Sequence, residues 1–114
     1  LDLQGSLTDA FMNPAEQKQA YTEGKLVGDF LDASFDAEFP NLMEYVRPLP
    51  GFPTRSMLVP TTDAQAYAET NLTVRWFLRA SKRDPRFLLR RELQLVRVTS
   101  RFDIILLDCP PLLN

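Results

Sequence analysis

Histidine is absent from this 114-residue chain, and cysteine appears once, at Cys109. With no His and a single Cys, the usual zinc-binding sets cannot be assembled. A Ser-His-Asp or Cys-His hydrolase site is excluded for the same reason, and no internal disulfide can form. Glycine is scarce: Gly5, Gly24, Gly28 and Gly51 are the full set, and none stands before a Lys-Ser/Thr pair. The Gly-rich loop whose backbone N–H groups and lysine cradle nucleotide phosphates is therefore missing from these residues. No apolar run approaches the ~18 residues of a membrane span, and no basic-then-apolar leader is seen. The expectation is a cytoplasmic protein with no membrane partner.

What is present is ordinary for a soluble globular domain: 45% hydrophobic and 25% charged residues in 13.1 kDa. A chain of this size makes one small domain that buries roughly 65% of its unfolded surface. Its net charge of −2 conceals a division. The first 74 residues hold eleven Asp and Glu against Lys18, Lys25, Arg47 and Arg55, whereas residues 75–101 hold nine Arg and Lys against Asp84 and Glu92. Clustered arginine attracts nucleic-acid phosphates whatever the base sequence; the competing reading is a solvated face on two helices, balanced by the acidic half. Arg79, Lys82, Arg83 and Arg90 are the set expected to be exposed, with Asp84 and Glu92 close enough along their helix to occupy Arg86 or Arg91 and others.

Residues 1–13 read as a strand end followed by a polar loop. From 14 to 39 the chain reads as helical: Asn13 can cap, Pro14 suits the first helical position, and Gly24 interrupts. Leu26, Val27, Phe30 and Leu31 then form an apolar stripe with Asp29 and Asp32 facing water, and Phe35 and Phe39 continue the burial. Residues 42–60 suggest two short extended segments, Leu42–Arg47 and Ser56–Pro60, separated by a turn that Pro48, Pro50, Gly51 and Pro53 enforce. A long helix is expected from Thr62 to about Ala80, anchored by Trp76 and Phe77. A further helix begins at Asp84-Pro85 and runs to about Ser100, with Leu88, Leu89, Glu92, Leu93 and Val96 on one stripe.

That helix leads into Phe102-Asp103-Ile104-Ile105-Leu106-Leu107-Asp108-Cys109-Pro110-Pro111. Four consecutive apolar residues without alternation describe a strand buried on both faces, as in a parallel sheet covered by helices. In open α/β sheets the carboxyl ends of the strands face the ligand, so Asp108 would stand at the rim of a pocket, followed by two prolines that fix the exit path. A carboxylate placed this way suits magnesium, which is held by one or two carboxylates together with substrate phosphates and water. A core strand whose Asp caps a turn is the plainer alternative.

The wording of this stretch resembles the Walker B segment of the ParA/MinD-type ATPases, which read aromatic-Asp, apolar residues, Asp, Cys or Thr, Pro-Pro. Leu1-Asp2-Leu3-Gln4-Gly5-Ser6-Leu7-Thr8 is similar to the Walker A′ segment of the same family, with Leu3 where that family usually has Pro. The resemblance implies an α/β fold, specifically a three-layer fragment with a mainly parallel sheet and flanking helices. It also implies that residues 1–114 are a single partial domain running from Walker A′ to Walker B, with the phosphate loop lying upstream. Carried over residue by residue, it makes Asp108 the metal-shell carboxylate and Asp2 the residue associated with the water that attacks the γ-phosphate. Gln4, Pro110 and Pro111 are placed beside the nucleotide. ATP, Mg²⁺, a nucleotide-dependent homodimer, nonspecific DNA and a ParB-like activator are implied with it. Asp2-x-Gln4-Gly5-Ser6 resembles the partitioning branch more than the MinD branch. A catalytically silent α/β scaffold is the reading of a different class.

Overall fold

The computed structural model describes residues 6–35, 39–49, 55–61, 65–78, 84 and 87–108. Ser6–Phe11 forms α1, Pro14–Thr22 α2 and Val27–Phe35 α3; a 3₁₀ turn at Leu42–Glu44 precedes β1, Arg47–Pro48, and β2, Met57–Leu58. Gln65–Phe77 is α4, Leu88–Leu93 α5 and Val96–Thr99 α6. The polar loop expected near the start of the chain is replaced, from Ser6 on, by a helical turn, and the strand end expected before it lies outside the described residues.

Local chemistry explains several of these boundaries. Asn13 accepts the N–H of Glu16 at 2.9 Å while Glu16 reaches back to the N–H of Asn13 at 3.1 Å, a reciprocal cap with Pro14 at the first helical position. Gly24 ends the run at φ +67°, a conformation that costs any side-chain-bearing residue. The carboxylate of Asp29 accepts the N–H of Leu26 at 2.9 Å, and the N–H of Val27 donates to the carbonyl of Pro60. Asp29 is therefore a half-buried cap and not a water-facing charge. Asp32 keeps about half of its side chain open to water while pairing with Arg75, 2.6 Å from its guanidinium.

Apolar side chains from these helices meet in three clusters. Val27 and Phe30 of α3 pack with Leu42, Tyr45, Val59 and Val98; Phe30 and Tyr45 meet edge to face at 5.5 Å. Met12, Ala20, Leu26 and Leu58 form a second cluster. Phe35, Leu72 and Leu88 join α3, α4 and α5 in a third, with the Arg75 guanidinium 4.8 Å from the centre of the Phe35 ring. Two expected anchors fall outside the core: Phe39 and Phe77 are exposed, and Phe39 is covered only in part by Arg91.

The three-layer α/β arrangement with a mainly parallel sheet does not form. Among the described residues the only sheet is the antiparallel pair of β1 and β2, with Arg47 opposite Leu58 and Pro48 opposite Met57. Each strand is two residues long. Pro48 and Pro60 help to explain this, because proline has no N–H to give a ladder. The part of Leu42–Arg47 expected to extend coils into the 3₁₀ turn, where the side chain of Asn41 accepts the N–H of Met43. Most decisively, Ile104–Leu107 has no place in a strand ladder; Asp108 alone stands in an isolated bridge. A doubly buried strand needs neighbours on both edges and cover on both faces, and the described helices spend their apolar stripes on one another.

Candidate functional site

The last helical stretch is where the fold and the candidate site meet. The helix expected from residue 84 to about Ser100 breaks at Gln94–Leu95 into α5 and α6. Glu92 explains the break. Its carboxylate is buried, accepts the N–H of Leu42 at 3.0 Å, and also takes the Arg97 guanidinium, Nε at 2.8 Å. Arg97 donates in turn to the carbonyl of Pro40 at 3.0 Å. The hydrogen bond to Glu92 is the main reason that Arg97 holds its proton above the ordinary arginine range. In α6 Val98 is buried, whereas Val96, expected on the apolar stripe, faces solvent.

Beyond α6 the chain runs along a groove of about 760 Å³. Leu42, Leu58, Val59 and Val98, all core residues, contribute to its lining, and Phe102 to Leu106 form one side. Phe102 packs on the core, but Ile104 is 77% exposed and Leu106 72%. The run that reads as the best-buried strand of the sequence is an open apolar segment. Arg55, Arg101 and Asp103, all exposed, also border the groove.

Of the residues assigned to a nucleotide site, only Asp108 is described; it is half-buried at the end of this run. Asp2, Gln4, Pro110 and Pro111 lie outside the described residues. Among the described residues no three Asp, Glu, Cys or His side chains gather as metal ligands. A lone carboxylate still fits magnesium, which keeps several waters and takes its other protein-side partners from phosphates. The phosphate cradle itself has no counterpart in the sequence of these 114 residues.

The basic stretch is less uniform than its composition suggests. Arg75 and Arg97 are engaged by Asp32 and Glu92, and Arg91 lies 5.7 Å from the Phe39 ring centre. Glu92 serves Arg97, one of the other arginines within its reach along the chain. Arg90 is exposed as expected, whereas Arg79, Lys82, Arg83 and Arg86 lie outside the described residues. The meeting of Arg55 with Arg101 and Asp103 at the groove was not anticipated, since no spacing marks residues so far apart as neighbours. No helix among the described residues is long and apolar enough to cross a membrane. The chain matches no protein-family profile, no curated protein and no solved structure.

Proposed function

We propose that residues 1–114 are a section of a ParA-like ATPase that hydrolyses ATP with Mg²⁺ to drive plasmid or chromosome partitioning. The observation that carries this reading is the wording of Phe102 to Pro111, an aromatic-Asp, four apolar residues, then Asp108, Cys109 and two prolines. Within the proposal Asp108 contributes one ligand of the Mg²⁺ shell and Asp2 orients the attacking water. Gln4, Pro110 and Pro111 flank the nucleotide. A nucleotide-dependent homodimer, nonspecific DNA met by the basic stretch, a ParB-like activator and a cytoplasmic location belong to the same proposal.

A second reading is favoured by one specific feature, the lack of any Lys-bearing phosphate loop in these residues. It is a catalytically silent interaction module. The two separate on the complete reading frame that encodes this chain, expressed whole and assayed for Mg-ATP binding and hydrolysis. The ATPase reading expects Asp108→Ala to impair nucleotide use, and Asp2→Ala to bind ATP yet hydrolyse it slowly. A complete protein with no phosphate loop and no ATP binding establishes the scaffold instead; equal loss of ATP affinity in both variants rejects the division of labour between the two carboxylates.

A further inference from the structure

α5 and α6 meet at a break for which no residue type nearby accounts. From Arg86 to Asp108 the sequence holds no Gly and no Pro, and α6 begins without a capping side chain. A sharp break in a helix otherwise traces to such residues, or to a side chain that disturbs the backbone ladder. Leu95 is extended, at φ −74° and ψ 144°, while Gln94 beside it stays in the right-handed helical region. The carbonyl of Glu92 accepts the N–H of Leu95 at 3.0 Å, where an unbroken helix would give it the N–H of Val96.

Arg97 makes bonds that only the broken helix allows. Five residues along a straight helix carry a side chain roughly 140° round the axis, so positions 92 and 97 do not face each other there. Yet the Arg97 guanidinium reaches both oxygens of Glu92, Nε at 2.8 Å, and the carbonyl of Pro40 at 3.0 Å. The bond from the Leu42 N–H to Glu92 is compatible with either form, because position 92 stays on the stripe of Leu88 and Leu89.

Apolar burial does not choose between the two forms. In the broken one Val98 is buried and Val96 exposed. In a straight helix Val96 stands two turns beyond Leu88 and Leu89 on the buried stripe, and Val98 turns to the opposite side. One valine replaces another, so the three bonds of Arg97 decide.

We infer that Arg97 is a latch on a two-state helix. Closed, it holds α5 and α6 apart with Val98 inside; open, residues 88–99 run as one helix with Val96 inside. Phe102 follows the end of α6 by three residues and packs on the core, so opening the latch re-aims the Phe102–Leu106 run that borders the groove. The state of the helix and the cover of that run are thereby coupled. The device involves no nucleotide and is independent of the proposed ATPase.

Backbone NMR and amide hydrogen exchange of the 114-residue chain test it. Wild type is expected to show extended Cα shifts at Leu95 and fast exchange at residues 96 and 97, the first positions of α6. Arg97→Met keeps helix propensity but makes none of the three bonds; Val98→Ala weakens the broken form's core without touching a charge. Both are expected to move the Leu95 shift to helical values and to slow exchange at residues 96 and 97 by at least about tenfold. Val96→Pro is expected to leave the wild-type fold intact and to block that change in either background. Proline suits the first position of α6 and the extended residue before it, but not a helix interior. The inference is overturned if Leu95 stays extended in either variant, if either variant or Val96→Pro alone unfolds the chain, or if Val96→Pro does not block the change.

Discussion

The buried carboxylate of Glu92 accepts the backbone N–H of Leu42 at 3.0 Å, joining positions fifty residues apart, and both its oxygens accept from the Arg97 guanidinium. One side chain thus fixes the 3₁₀ turn that carries Leu42 into the core and the break between α5 and α6 that turns Val98 inward.

Replacing Glu92 by Ala removes the acceptor from a buried N–H and leaves Arg97 without its carboxylate. The expected cost is about 2 kcal/mol, read as a lower urea midpoint. Glu92→Gln keeps an acceptor for Leu42 and should lose less. Arg97 is raised by Glu92, so its share of stability is fully present below the unfolded arginine pKa and is lost only as pH rises through the still higher folded value. The gap between wild type and Glu92→Ala should therefore stay flat between about pH 6 and 9. A gap that closes within that window would show that a different group sets it.

The cap of α2 makes a local prediction. Asn13→Ala deletes the side chain that receives the Glu16 N–H and should cost about 1 kcal/mol, measured by thermal or urea unfolding. Asn13→Gly, which tolerates the cap backbone, should cost only a few tenths. Equal losses in the two would mean that the helix start is held by packing of Met12 and Ala20 and not by the cap.

How far these features were legible in the sequence depends on how locally each is decided. Asn13, Pro14 and Gly24 act within a turn of the chain, and their residue types alone announced the cap and the break; the return bond from Glu16 was not foreseen. Glu92 was placed correctly by spacing on the stripe of α5, yet nothing local says that its carboxylate would bind the N–H of Leu42. The break at Gln94–Leu95 and the outward turn of Val96 accompany that distant bond. Ile104–Leu107 shows the limit most clearly. Apolarity states that a segment is better covered; it does not say that the cover lies among the other residues of these 114. The doubly buried strand failed because the described residues offer only two-residue strands, one of them carrying Pro48 and the other running into Pro60.

Phe30 and Phe77 separate core from surface under one substitution. Phe30 is buried against Tyr45 and Val27, so Phe30→Ala should cost about 3–5 kcal/mol and unfold a marginal protein. Phe77, 76% exposed on α4, should tolerate Ala within about 0.5 kcal/mol. Chemical denaturation of both variants checks the pair. A large loss at Phe77 would restore it to the anchoring role that its sequence suggested.

The remaining prediction concerns catalysis by these 114 residues themselves. Binding of β- and γ-phosphates by nucleotide hydrolases rests on a cradle of backbone N–H groups and a lysine. No such loop occurs in this sequence, where Lys18, Lys25 and Lys82 are the only lysines and none follows a glycine-rich segment. Lys25 follows Gly24, but it sits over the Tyr45 ring at 5.0 Å and no second glycine or Ser/Thr completes a loop around it. Asp108 could supply a metal ligand, but a carboxylate without the cradle repels the phosphates it would need to hold. The purified chain is therefore expected to show no Mg-ATP turnover above buffer, and no change in its unfolding midpoint when Mg-ATP is added, since a ligand stabilises only the state that binds it. Turnover that Asp108→Ala abolishes would contradict this, because it would mean that these residues hold the phosphates by means other than a phosphate loop.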